Sequence, residues 1–165
     1  VFAAAALGSV AVLSGCDSND ATVDSGSANT KDSKKGDAEK KEKKTTDLAV
    51  GTSITTSDNV TVVVDSVETG LTNYDGSTMT GIHVTYTNNG DDGADYNVYD
   101  WKGEDANGAQ QSSGYYSEGS DTLESGTLAE GGTVSGNIYF DGDIKKALYF
   151  GNIFEKSATA SWVLA

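Results

Sequence analysis

From residue 48 onward the chain is a succession of short segments in which apolar and polar residues alternate, each closed by a cluster of glycine, asparagine or aspartate. A period of two puts successive side chains on opposite faces of a strand, so each segment predicts a half-buried β-strand. The clearest is 78–87, with Ile82, Val84 and Tyr86 on one face and His83, Thr85 and Thr87 on the other. Residues 134–140 repeat it, with Val134, Gly136, Ile138 and Phe140 opposite Ser135, Asn137 and Tyr139; Leu148 and Phe150 are expected to continue the pattern after a short turn. Ala158, Ala160, Trp162 and Leu164 form a last apolar face.

Earlier segments fit the same scheme. Residues 51–55 read as a first short strand, and Ser57, Asp58 and Asn59 turn the chain into a strand over 60–67. The run Val62-Val63-Val64 predicts burial on both faces or a bulge near Asp65 and Ser66. Residues 88–93 form a loop, 96–101 a further segment, and Asn107-Gly108 is a hairpin signal. About seven short antiparallel strands at this spacing predict an all-β fold, an immunoglobulin-like β-sandwich. Frequent valine, threonine and tyrosine and 20 glycines without a proline agree with strands and turns.

The first 47 residues have another texture. Residues 1–15 are small and apolar and end at Leu13-Ser14-Gly15-Cys16, the chain's single cysteine. A short apolar run closed by small residues predicts a secretory signal, too short for a spanning helix of about 20 residues. The segment resembles the lipobox of bacterial lipoproteins, and the resemblance implies cleavage before Cys16 and its lipidation, which would place the protein on the outer face of the cell membrane. Residues 16–47 are almost entirely Ser, Thr, Asp, Asn, Gly, Ala, Lys and Glu after the cysteine, too polar to order themselves, and predict a tether to a domain at 48–165. With the cysteine assigned to lipid, no disulfide is expected.

Charge divides along the same boundary. Residues 17–47 carry seven lysines and eight acids; residues 48–165 carry four lysines and seventeen acids, a net charge of −13. Such a domain repels phosphate backbones and lacks arginine to grip them, so nucleic acid is excluded as an expected partner. A protein or a cell-envelope component is the expected one.

A family resemblance covers about 48–165. It rests on the order of a valine-rich strand, an alternating strand closing on Asn88, an Asp105-x-Asn107-Gly108 turn, Leu128-x-x-Gly131, Gly136-x-x-x-Phe140 and a terminal Trp162-x-Leu164. This order is similar to the uncharacterised immunoglobulin-like domain of Gram-positive lipoproteins, catalogued in places under a telomeric repeat-binding factor label. Glu130-Gly131 stands where that family commonly has Pro-Gly. The resemblance implies a sandwich displayed at the cell surface and supplies no catalytic residues.

Chemistry-bearing constellations are sparse. His83, the only histidine, sits on the polar face of its strand with no nucleophile elbow in the sequence, so no catalytic residue and no cofactor are expected. One histidine cannot build a zinc site. Calcium takes oxygen ligands from loops, which makes Asp91, Asp92 and Asp95 weak candidates. Tyr96, Tyr99, Trp101, Tyr115 and Tyr116 crowd the middle of the domain and are the candidate binding patch, one of Tyr115 and Tyr116 being expected to face solvent. The expected function is non-catalytic surface recognition; the alternative is an accessory module capturing carbohydrate, peptide or calcium for a neighbouring transporter or enzyme.

Overall fold

The computed structural model describes residues 44–164 and, before them, the backbone of a short strand, β1 (Thr22–Asp24). Eleven further strands follow: β2 (Leu48–Ala49), β3 (Ser53–Thr55), β4 (Val60–Thr72), β5 (Thr78–Asn88), β6 (Ala94–Tyr96), β7 (Trp101–Asp105), β8 (Gln110–Gln111), β9 (Gly126–Leu128), β10 (Thr133–Asp141), β11 (Ile144–Tyr149) and β12 (Ala160–Val163). One sheet has the order β1-β3-β4-β5-β10 and the other β2-β12-β11-β7-β8, while β6 and β9 form a separate pair. The fold is the expected β-sandwich. Its inner faces are carried by β3, β4, β5 and β10 on one side and β7, β11 and β12 on the other, with short strands fringing them.

Alternation explains the first inner face. Ile82, Val84 and Tyr86 point inward beside Val62, Val64, Ile138 and Phe140, all nearly inaccessible to solvent. The register of β4 against β5 shifts between Val64 and Ser66, at the expected bulge, and again between Glu68 and Leu71, so β4 runs on to Thr72 rather than ending near residue 67. In β11 the alternation misleads. A register shift between Ile144 and Lys146 inserts one residue, so Ala147 and Tyr149 join the core in place of Leu148 and Phe150. Those two are buried outside the main core, where the Lys102 ammonium lies 4.8 Å from the centre of the Phe150 ring.

Four aromatic rings pack together in the core toward one end of the sandwich. Trp101 packs against Tyr149 and Trp162 at centroid distances of 5.1 and 5.5 Å, and Tyr86 meets Trp101 edge-on at 6.5 Å. The indole Nε1–H of Trp101 donates to the Tyr86 hydroxyl at 2.6 Å, a buried hydrogen bond between the sheets. Burial raises the pKa of Tyr86 far above that of a free phenol, so the hydroxyl stays neutral.

The two ends of the sandwich differ. At one, the β4–β5 turn over 73–77 lies with the β7–β8 and β10–β11 turns: Thr80 Oγ1 donates to the Gly142 carbonyl, and Ile144 pairs with Asp105. At the other, Trp101, Tyr149 and Ala160 lie together across the sheet, near the turn 56–59 and the loop 150–159. The chain enters from this second end. Ser161 N–H donates to the Thr45 carbonyl, Leu48 runs parallel beside Trp162, and Asp47 takes the Lys146 ammonium at 2.7 Å.

Asp100 is the one buried charged residue among those described, 7% exposed in a 3-10 turn over Val98–Asp100. Burial pushes its pKa up to about 6 from an ordinary 3.8. The native state therefore holds this proton to higher pH than the unfolded chain, and the site's contribution to stability falls as pH rises from about 4 to 6. Asp100→Asn is expected to match the parent's melting temperature near pH 4 and to exceed its stability at pH 7 by on the order of 2 kcal/mol, read from paired melts across that range. In the core, Tyr86→Phe leaves the Trp101 N–H without its acceptor. It is expected to cost about 1–3 kcal/mol in urea unfolding, more than the loss of a surface hydroxyl.

Candidate functional site

The end of the sandwich away from the chain's entry is built around one side chain, Asn73. It begins the turn Asn73-Tyr74-Asp75-Gly76, closed by the Gly76 N–H on the Asn73 carbonyl, with Gly76 at φ +82°. Asp75 accepts from the backbone N–H and hydroxyl of Ser77, which holds its carboxyl below the ordinary carboxylate range. Asn73 itself is 8% exposed and reaches a segment some forty residues away. Its Nδ2 donates to the Tyr115 carbonyl at 2.8 Å, and its Oδ1 accepts from the N–H groups of Tyr74 and Ser117, both at 3.0 Å. One buried amide thus joins the hairpin to the 112–123 segment, with both of its polar atoms occupied.

That segment lies along β10, the last strand of its sheet. The Gly114 N–H donates to the Tyr139 carbonyl, Leu123 N–H to that of Asn137, and Asn137 N–H to that of Asp121. These bonds occupy an edge that would otherwise offer unpaired backbone groups to another chain. At Gly136 a Cβ would stand 2.7 Å from Leu123 Cα, so a residue without a side chain is required where the segment crosses.

Two tyrosines project from this end. Tyr74 is 78% exposed and Tyr115 is 75% exposed, and the backbone of each is bound by Asn73. Tyr116 turns the other way and packs on Tyr139 at a centroid distance of 4.9 Å, as expected for neighbours on an extended segment. Beside it lies a cavity of about 230 Å³ lined by Tyr116, Tyr139, Glu68, Glu118 and His83. His83 Nδ1 is 2.8 Å from Asn137 Oδ1, and Asn137 Nδ2 donates to the Ser120 carbonyl at 2.8 Å.

The five aromatics named from the sequence are not one patch. Trp101 is fully buried in the aromatic core, facing inward from the start of β7, and Tyr96, in the separate β6–β9 pair, packs half-buried against Tyr86, 6.1 Å between centroids. Tyr99 is 67% exposed but precedes Trp101 at the entry end, the opposite end from Tyr115. Tyr115 and Tyr116 share a segment, one outward and one inward. Tyr74 was not among the sequence candidates. A tyrosine at the tip of an Asn-x-Asp-Gly turn between two strands has no neighbour to cover it, and that is the signal that could have identified it.

The acidic loop is organised by another amide. Asn88, fully buried, donates through Nδ2 to the carbonyls of Asp92, Leu128 and Ala129. Asp91 and Asp92 are exposed, and Asp95 accepts the Thr127 hydroxyl at 2.6 Å. Among the described residues no three acids or histidines are grouped so that they could hold a metal ion. Cys16 lies outside the described residues.

Asn73→Ala removes both of this side chain's hydrogen bonds between the hairpin and the 112–123 segment, along with its bond from the Tyr74 N–H. The expected result is faster proteolytic cleavage within 112–119 while the core keeps its amide protection, read by mass spectrometry of fragments; unchanged cleavage would show that Asn73 does not fix the segment.

The family model for the domain of unknown function DUF4352 matches residues 48–159. Among solved structures, yjhA from Bacillus subtilis superposes with a TM-score of 0.56 at 18% identity, covering 72% of this chain and 99% of that one. MPT63, a secreted protein from Mycobacterium tuberculosis, gives 0.54 at 16% identity, with coverages of 72% and 95%. The candidate lipoprotein ycdA from Bacillus subtilis subsp. subtilis str. 168 gives 0.51 at 21%, with coverages of 64% and 35%. No curated protein matches the chain. At these identities the structural likenesses speak to the fold.

Proposed function

The chain belongs to the DUF4352 family, and from that premise we propose that it is a non-catalytic lipoprotein of the cell surface, anchored at Cys16, that presents the Tyr74 and Tyr115 end of its sandwich to a protein or cell-envelope partner. The observation that carries this reading is the pinning of two exposed tyrosines by a buried asparagine at the end away from the chain's entry. Aromatic rings offer a large contact area with few torsions to freeze, and anchoring their backbone beforehand removes part of the ordering cost of binding. The entry of the chain at the opposite end supports an outward-facing role: β1, inside the expected tether, pairs with β3 instead of standing free, and both Thr22, beside Thr55, and Thr45, bound by Ser161, meet the sandwich away from the tyrosines.

Other features point the same way. The domain's acidity disfavours adhesion to anionic lipid heads and nucleic acids, leaving a specific face to do the recognising. His83 gives its ring hydrogen bond to an amide rather than to the carboxylate that orients a catalytic base. Among solved structures of the same fold are a candidate lipoprotein and a secreted protein, which supports a place in the envelope or outside it. Among the described residues no helix is long and apolar enough to cross a membrane. A second reading, solute capture for a neighbouring transporter or enzyme, is favoured by the cavity beside Tyr116.

The test has two arms in the producing cell. Cys16→Ala is expected to move the protein from the membrane fraction to the medium, and Tyr74→Ala/Tyr115→Ala to leave it in the membrane fraction while abolishing its co-sedimentation with isolated envelope material. Retention of Cys16→Ala in the membrane contradicts the anchor; full binding by the tyrosine double variant contradicts the recognition end.

A further inference from the structure

The cavity beside Tyr116 has a polarity that its hydrogen bonds determine. A carbonyl oxygen can only accept, so the contact between Asn137 and the Ser120 carbonyl fixes Nδ2 on that side and leaves Oδ1 facing His83. Oδ1 is also only an acceptor, so His83 Nδ1 must carry the proton. In the neutral imidazole the remaining nitrogen, Nε2, is then an acceptor, the one polar atom the ring has left to offer a ligand. The charged groups lining the cavity are Glu68 and Glu118, both exposed acceptors. Its walls include the rings of Tyr116 and Tyr139, packed together with their planes tilted by 50°.

Acceptors without an opposing cation, set among aromatic rings, select a ligand that donates several hydrogen bonds and carries positive charge. We infer that this cavity binds a primary ammonium group, such as the side-chain amine of a lysine in a peptide or an amine on an envelope polymer. The carboxylates and Nε2 take its three N–H donors, and the tyrosine rings attract it through their faces. At about 230 Å³ the cavity admits an aminoalkyl group and excludes a folded partner. Gly81 helps keep the site open: a Cβ there would stand 3.0 Å from the Tyr139 ring and 3.3 Å from Leu71, forcing the wall to move. A neutral sugar is the competing ligand, since planar polar groups beside a ring also suit hydroxyls. The lining's hydroxyls, those of Ser66 and Ser120 among them, could serve a sugar, but its two carboxylates have no cation opposite them, and only the amine brings the complementary charge. The inference stands on the cavity alone and does not require Tyr74 or Tyr115 to bind anything.

NMR titration of the intact chain with N-acetyl-L-lysine methylamide tests it, with N-acetyl-L-norleucine methylamide and N-acetylglucosamine as neutral probes. The lysine probe is expected to produce saturable shifts at the Gly81 and Asn137 amides and the His83 ring nitrogens. Its affinity should weaken about fivefold to thirtyfold in Glu68→Gln/Glu118→Gln, whose positions are exposed and whose fold is retained. Long-range nitrogen spectra of the free protein are expected to place the neutral ring's proton on Nδ1. The inference is overturned by a proton on Nε2, by the absence of saturation with the lysine probe, by equal affinity for norleucine or N-acetylglucosamine, or by undiminished lysine binding in the double variant.

Discussion

The hydrogen bond from Trp101 to the Tyr86 hydroxyl joins the two sheets inside the core. The only cysteine of the chain is Cys16, so no disulfide can bridge the sheets, as one does in antibody domains. Packing must set the spacing and the sliding of one sheet over the other. Apolar contact alone is non-directional, but a buried donor that has to meet one acceptor admits a narrow range of offsets. Tyr149 and Trp162 surround the pair and keep water from competing for it.

The path from core to surface runs through β10. Its inward residues, Ile138 and Phe140, belong to the core, while its free edge is occupied by the 112–123 segment. Covering an edge solves a general problem of sheets, and here the cover also brings Tyr115 and Tyr116 to one end. Asn73 then ties cover to hairpin. Asn88 does the corresponding work at the entry end, gathering three carbonyls from two loops. In both places a buried side-chain amide with its polar atoms satisfied orders a loop that hydrophobic contact could not order, because the loop has too few apolar residues to bury.

Strand positions and facing were legible wherever alternation was uninterrupted. Ile82, Val84 and Tyr86 could be assigned to the core from their spacing, and the valine run marked the bulge at Asp65, between Val64 and Ser66. Leu148 and Phe150 defeated the same logic, since a single inserted residue in β11 inverts every face beyond it, and Lys145-Lys146 gives no local sign of it. Trp101 and Tyr115 look alike as aromatics in polar surroundings; only the pairing of Trp101 with Tyr149 across two strands decides that one is core. Asn73 was the hardest residue to read. Its partners are a neighbouring N–H and two backbone groups more than forty residues away, and in the sequence it is one more asparagine before an Asp-Gly turn.

The central claim is that the tyrosine end is held in place before any partner arrives. Amide hydrogen exchange of the free protein at neutral pH tests this at the N–H of Ser117, which donates to Asn73 Oδ1. The account predicts that this amide, in a segment without regular secondary structure, exchanges as slowly as the neighbouring strand amides of β10. Exchange at the rate of an unstructured peptide would contradict it.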